Sequence, residues 1–179
     1  MAIAPDDKDW TWVLERWCPE CGFDASELAR EQIAPMTRGK ARAWAEILDA
    51  NPDSLRQRPS DDRWSVLEYS CHVRDVLRVM DERLKLMVCL DNPLFQNWDQ
   101  DKTAVQDRYE DQDPRQVAAE LTAAADTLAG EFSGVQGAAW QRPGTRSNGS
   151  HFTVETLGRY MIHDVVHHLF DVAADLATP

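Results

Sequence analysis

Residues 64–87 read WSVLEYSCHVRDVLRVMDERLKLM. Val66, Tyr69, Val73, Val76, Leu77, Met80, Leu84 and Met87 recur at spacings of three and four, the period of an amphipathic helix. Ser65 stands three residues before Glu68, the spacing of a capping box, so the helix opens there. Asp91-Asn92-Pro93 closes it. Working outward, Asp24 or Ser26 caps a helical segment reaching Ala50, which Pro35 is expected to kink or split, and Asn51-Pro52-Asp53 ends it. Asp113 followed by Pro114 opens a helix running to about Phe132. Thr153 caps a last helix reaching about Ala174. Residues 7–17 form a short amphipathic helix broken by Cys18-Pro19-Glu20-Cys21-Gly22. Strand alternation and repeats are not evident. Three strong helices and one split helix predict an all-α chain, an antiparallel four-helix bundle forming one domain over residues 1–179, with 1–23 as an N-terminal extension. Residues 92–112 and 134–151 read as long loops, of the kind that border a site or close over it.

The histidines give the bundle its chemistry. His72 shares a stripe of the second helix with Ser65, Tyr69, Val76 and Val79. His163 and His167 are four apart on the last helix, hence one above the other on one face. Two imidazoles so placed can bind one divalent metal ion, and His72 from a facing helix completes a set of three. Three protein ligands leave positions open for water or substrate, the catalytic rather than the structural pattern. Three imidazoles suit zinc, nickel, iron or copper. Glu68 and Asp75 flank His72 and are the candidates to hold its ring N–H or to act as base toward a bound water. His168 falls on another stripe and reads as a supporting or packing residue. The alternative is three half-buried histidines that are simply hydrogen-bonded.

The net charge of −12 argues against nucleic acid and anionic membrane surfaces, which need clustered Lys and Arg. No signal segment and no apolar run of about 18 residues is evident, so a cytoplasmic protein is expected, acting on a small-molecule substrate, with a homodimer allowed. Four cysteines are not a disulfide framework here. Cys18 and Cys21 read first as turn or packing residues, second as half of a metal site completed in the fold, third as a redox pair. In the later loop Arg142, Arg146 and Asn148 are candidates to grip a carboxylate or sugar hydroxyl, or are solvated loop residues.

Trp64-Ser65 with Glu68 and His72, followed by His163-Asp164-Val165-Val166-His167-His168-Leu169, resembles the DinB/YfiT-like superfamily over residues from about 58 to 174. The resemblance implies a four-helix bundle holding a divalent metal through one histidine of the second helix and a His-x-x-x-His pair of the fourth, here His72, His163 and His167. In characterised branches, such as mycothiol-dependent maleylpyruvate isomerase and bacillithiol transferases, the metal activates a low-molecular-weight thiol. Thiolate is the nucleophile such transfer needs. The resemblance therefore implies a metal-dependent transferase using mycothiol or a similar thiol. A hydrolase with a metal-activated water and a non-catalytic metal-binding stress-response protein are the other two readings.

Overall fold

A computed structural model describes residues 9–50 and 54–176, with side chains described to residue 173. Four long helices dominate: α1 (Arg30–Ala50), α2 (Val66–Cys89), α4 (Pro114–Gly134) and α5 (Val154–Leu176). α3 (Gln100–Gln106) is a short helix between α2 and α4. β1 (Pro143–Thr145) and β2 (His151–Thr153) form a small antiparallel hairpin before α5.

The helix starts follow from local chemistry. Ser65 Oγ accepts from the Glu68 N–H and Glu68 accepts from the Ser65 N–H, closing the expected capping box. Asp113 accepts from the N–H groups of Arg115 and Gln116, with Pro114 at the first helical position. The Thr156 N–H donates to Thr153 Oγ1, capping α5. Other expectations are revised. Asp24 accepts from Ser26 in a local turn, and α1 begins only at Arg30. Pro35 sits inside α1 without splitting it, because its missing N–H leaves a single rung of the ladder open near the first turns. Of residues 7–17, Asp7 and Lys8 lie outside the described residues, and the rest hold only a 3-10 turn at Thr11–Leu14. Asn51-Pro52-Asp53 also lies outside them.

Around the bundle, α1 packs against α4 and α5, and α2 packs against α4 and α5, which leaves α1 diagonal to α2. Arg74–Glu120 and Lys85–Glu131 join α2 to α4 at the same separation in sequence, so these helices run parallel. Arg63 meets Asp171, and further along α2 His72 meets Asp164, so α2 and α5 are antiparallel. Arg159 and Gly158, early in α5, touch Leu28 and Ile33 at the start of α1, so those two run parallel. The directions are up, down, down, up. The antiparallel neighbours, α1 with α4 and α2 with α5, are not consecutive in the chain, and the long connection carrying α3 is what lets α4 return parallel to α2.

The core takes in the predicted stripe of α2 at Leu77 and Leu84 and extends beyond it. Ile33 and Trp44 of α1, Leu67, Leu77 and Leu84 of α2, Leu121, Leu128 and Phe132 of α4, and Leu157, Met161 and Ile162 of α5 are all buried. Each such side chain contributes roughly 1.5–3 kcal/mol of transfer free energy, enough in sum to fix the rotation of every helix. Among the described residues no helix is long and apolar enough to cross a membrane.

Candidate metal centre and substrate cavity

The rotation of α5 decides which histidines meet. Adjacent residues on a helix differ by about 100° in direction. Residues 163 and 167 therefore form one stripe, and 164 and 168 the next. The structure turns the second stripe toward α2. His72 Nε2 lies 3.6 Å from Asp164 Oδ2, and His168 Nε2 lies 3.9 Å from Asp164 Oδ1. One donor atom from each of these three residues falls within 4.8 Å of the others. The first stripe turns toward the N-terminal segment, where His163 and His167 meet Cys18 and Cys21 in a second such group. The expected grouping of His72 with His163 and His167 is thus divided. His168, expected to be a supporting residue, stands with His72.

The centre at His72 fits a divalent ion. Its ring is buried, and neither Nδ1 nor Nε2 has a hydrogen-bond partner. Asp164 Oδ2 is also buried without one. Unmatched buried polar atoms are expensive, so the His72 nitrogens and Asp164 Oδ2, converging with His168, are what a cation would satisfy. Burial pushes the His72 imidazole below its usual range and keeps it neutral, the form that ligates. Burial would raise the Asp164 carboxyl, but His168 and His72 outweigh it and hold it at about 2. Asp171 Oδ2 lies 3.1 Å from His168 Nδ1, the carboxylate contact that orients a ligating imidazole. Two imidazoles and one carboxylate form the donor set of open zinc and iron centres.

Aromatic rings wall this centre. Trp64 and Trp98 lie 5.3 and 5.6 Å from the His72 ring, and Tyr69 lies 5.0 Å from that of His168. Trp98 arrives from the stretch expected to be an unstructured loop, which α3 and its Asp99 cap hold in place. The centre opens into a cavity of about 1220 Å³ between α2, α3, α5, the hairpin and the N-terminal segment, and His163 and His167 also line it.

Arg83 was not foreseen in this cavity. It lies on the α2 stripe below His72, Val76 and Met80, all of which line the cavity. It is 7% exposed, has no carboxylate partner among the described residues, and stacks over Phe95. Burial, and then the charge of Arg146, bring its guanidinium down to about 10. Burial raises the Tyr160 phenol beside them, so it stays protonated. A charged residue interrupting an apolar stripe was the signal available in the sequence.

The remaining expected residues separate. Arg146 and Asn148 line the cavity. Arg142 instead donates to the carbonyls of Met87 and Leu90 and closes the C-terminal end of α2. Glu68 is bound by Arg58 and by the Ser65 N–H. Asp75 takes both arms of Arg74, one of Arg78 and the Tyr109 hydroxyl. Both carboxylates are engaged in holding the fold, Glu68 by the segment before α2 and Asp75 by the arginines of α2 and by Tyr109 of the connection before α4.

Comparisons with known proteins bear on the fold and the family. No curated protein matches the chain. Among solved structures, YfiT from Bacillus subtilis superposes with a TM-score of 0.69 at 16% identity, over 97% of this chain and 93% of that one. That protein is described as a probable metal-dependent hydrolase with an unusual four-helix bundle topology. At this identity the likeness speaks for the fold, and the mixed helix directions are in keeping with it. The family model of the DinB superfamily matches residues 36–170, most of the chain and both helices of the centre, so this chain belongs to the DinB superfamily.

Proposed function

We propose that the chain is a divalent-metal-dependent hydrolase of a small anionic substrate, with His72, Asp164 and His168 holding the metal. The observation that carries this is the convergence of those three donors, His72 without a hydrogen-bond partner, at the wall of a large cavity. A bound divalent ion supplies Lewis acidity, acidifying a coordinated water or thiol. Everything else falls to the chain. Asp171 fixes the His168 tautomer so that Nε2 faces the centre. Trp64 and Trp98 exclude bulk water. Arg83 and Arg146, two cations in one cavity, attract and orient a carboxylate or phosphate, and the protonated Tyr160 donates to it. The description of the YfiT structure supports hydrolysis.

A second reading, thiol transfer with a mycothiol-like cosubstrate, is favoured by size. A cavity of about 1220 Å³ exceeds the ~300–1,000 Å³ usual for one small ligand and leaves room for two reactants.

The test uses protein loaded with zinc, iron or nickel and a panel of carboxylate-bearing esters and amides, with and without small thiols. Hydrolysis without thiol, lost by 100-fold or more in His168→Ala and in His72→Ala, is the expected result. Turnover only with thiol moves the assignment to transfer. Activity kept in His168→Ala but lost in His163→Ala returns the metal to the set of His72, His163 and His167.

A further inference from the structure

The second donor group lies where the N-terminal segment crosses α5, and the proposed reaction makes no use of it. Cys18 Sγ is 3.7 Å from His167 Nδ1, and Cys21 Sγ is 3.9 Å from His163 Nε2. Donor atoms from all four residues lie within 4.8 Å of one another. Zinc bonds of about 2.3 Å to sulfur and 2.0–2.1 Å to nitrogen at tetrahedral angles place sulfur and nitrogen about 3.6 Å apart. The observed spacings are close to that. Cys18, His163 and His167 are buried and Cys21 is half-buried.

The local backbone is shaped for the purpose. In Cys18-Pro19-Glu20-Cys21-Gly22 the Gly22 N–H donates to the Cys18 carbonyl, and the Cys18 N–H donates to the Phe23 carbonyl. Gly22 has φ +73°, a left-handed conformation that glycine adopts without steric penalty. The turn brings both thiols to one side, facing the His-x-x-x-His stripe. His167 uses Nδ1 toward Cys18, and its Nε2 faces Glu20 Oε2 at 3.5 Å and Asp171 Oδ2 at 4.0 Å. Carboxylates behind the far nitrogen are what orient a ligating imidazole. Trp10 packs against both rings, its centroid 5.8 Å from that of His163 and 5.0 Å from that of His167.

We infer that Cys18, Cys21, His163 and His167 bind one zinc ion in a closed, tetrahedral, structural site that fastens the N-terminal segment to α5. Four protein ligands leave no position for substrate, unlike the three-donor centre one stripe away. Binding deprotonates both thiols and releases their protons to solvent. The site holds in register the helix that carries Asp164 and His168, and it stands or falls separately from the proposed reaction.

X-ray absorption at the zinc edge of the full chain, purified without chelator, tests this without a variant. The expected shell has two sulfur neighbours near 2.3 Å and two nitrogen neighbours near 2.0 Å for one zinc equivalent. Cys18→Ser with Cys21→Ser should remove that equivalent and its sulfur signal while leaving metal bound at His72 in place. A zinc spectrum with no sulfur neighbours, or a Cys18–Cys21 disulfide in protein isolated without oxidant, overturns the assignment. So does an unchanged zinc content in the double variant.

Discussion

At the scale of single residues, the chain separates charges that hold the fold from charges that serve the site. Glu68 belongs to the first kind. Burial alone would raise its carboxyl, but Arg58 and the Ser65 N–H outweigh that and lower it below its ordinary value of 4.5. Its folded value is therefore below the unfolded one. The stability it contributes is present above about pH 4.5 and is lost as pH falls through the folded value. Glu68→Ala should destabilise by about 2–3 kcal/mol, less than the 3–5 of a fully buried pair because Arg58 keeps partial access to solvent. Urea melts at pH 7 measure this, and the difference from wild type should shrink at pH 3.5. Metal content should be unchanged at pH 7. A metal-free Glu68→Ala with wild-type stability would restore it to the centre. The histidines themselves were legible in the sequence, but their grouping was not. The one-residue offset between 163/167 and 164/168 leaves both stripes available until packing sets the rotation of α5. Asp164 and His168 carry the same four-residue spacing as the chosen pair, so the signal was present twice.

At the scale of elements, sequence reading succeeded where burial imposes a period. α2, α4 and α5 present apolar stripes with capping residues at their starts, and all three form as expected. α3 buries none of its residues, so it leaves no stripe to read. The hairpin strands have three residues each, too short for alternation to show. The directions of the helices were not legible either, because they depend on which faces meet and not on any one period. Gly158 reports how closely α5 approaches its neighbours. A Cβ there would stand 2.7 Å from Ile33 Cδ1 of α1 and 3.1 Å from Phe132 Cε1 of α4. Alanine gains about 1 kcal/mol of helix propensity over glycine. Overpacking a filled core loses about 1–3 kcal/mol. For Gly158→Ala the two terms nearly offset, with a net loss of about 1 kcal/mol. For Gly158→Val the added methyl groups leave no such balance, and a loss of about 3 kcal/mol is expected. Thermal melts of both variants check the order. Equal stability of Gly158→Val and wild type would mean that α5 can slide away from α1.

At the scale of the whole molecule, a chain of net charge −12 keeps two arginines, Arg83 and Arg146, on the wall of one cavity. An acidic surface repels anionic ligands at long range, so the cavity must supply a strong local field to capture one. The arrangement is unfavourable in the empty protein. Arg83 is buried, its guanidinium is brought down to about 10, and Arg146 repels it. Folding therefore proceeds against the charge of Arg83 at neutral pH, a penalty that would ease only above about pH 10. Residues kept at a loss to stability are expected at functional sites. Arg83→Met retains the apolar stem beside Phe95 and removes the charge. Melting of the substrate-free protein should show this variant equal to wild type or more stable by on the order of 1 kcal/mol. Its KM for a carboxylate-bearing substrate should rise about tenfold or more, the loss of one charge-assisted contact, while the KM for a neutral analogue changes little. Arg146→Met should show the same discrimination, and it should also relieve the repulsion on Arg83. If Arg83→Met instead unfolds the protein and leaves ligand preference untouched, the arginine is a packing residue and the cavity selects by shape. If stability holds and anion preference collapses, the positive cavity in an acidic bundle is its specificity device.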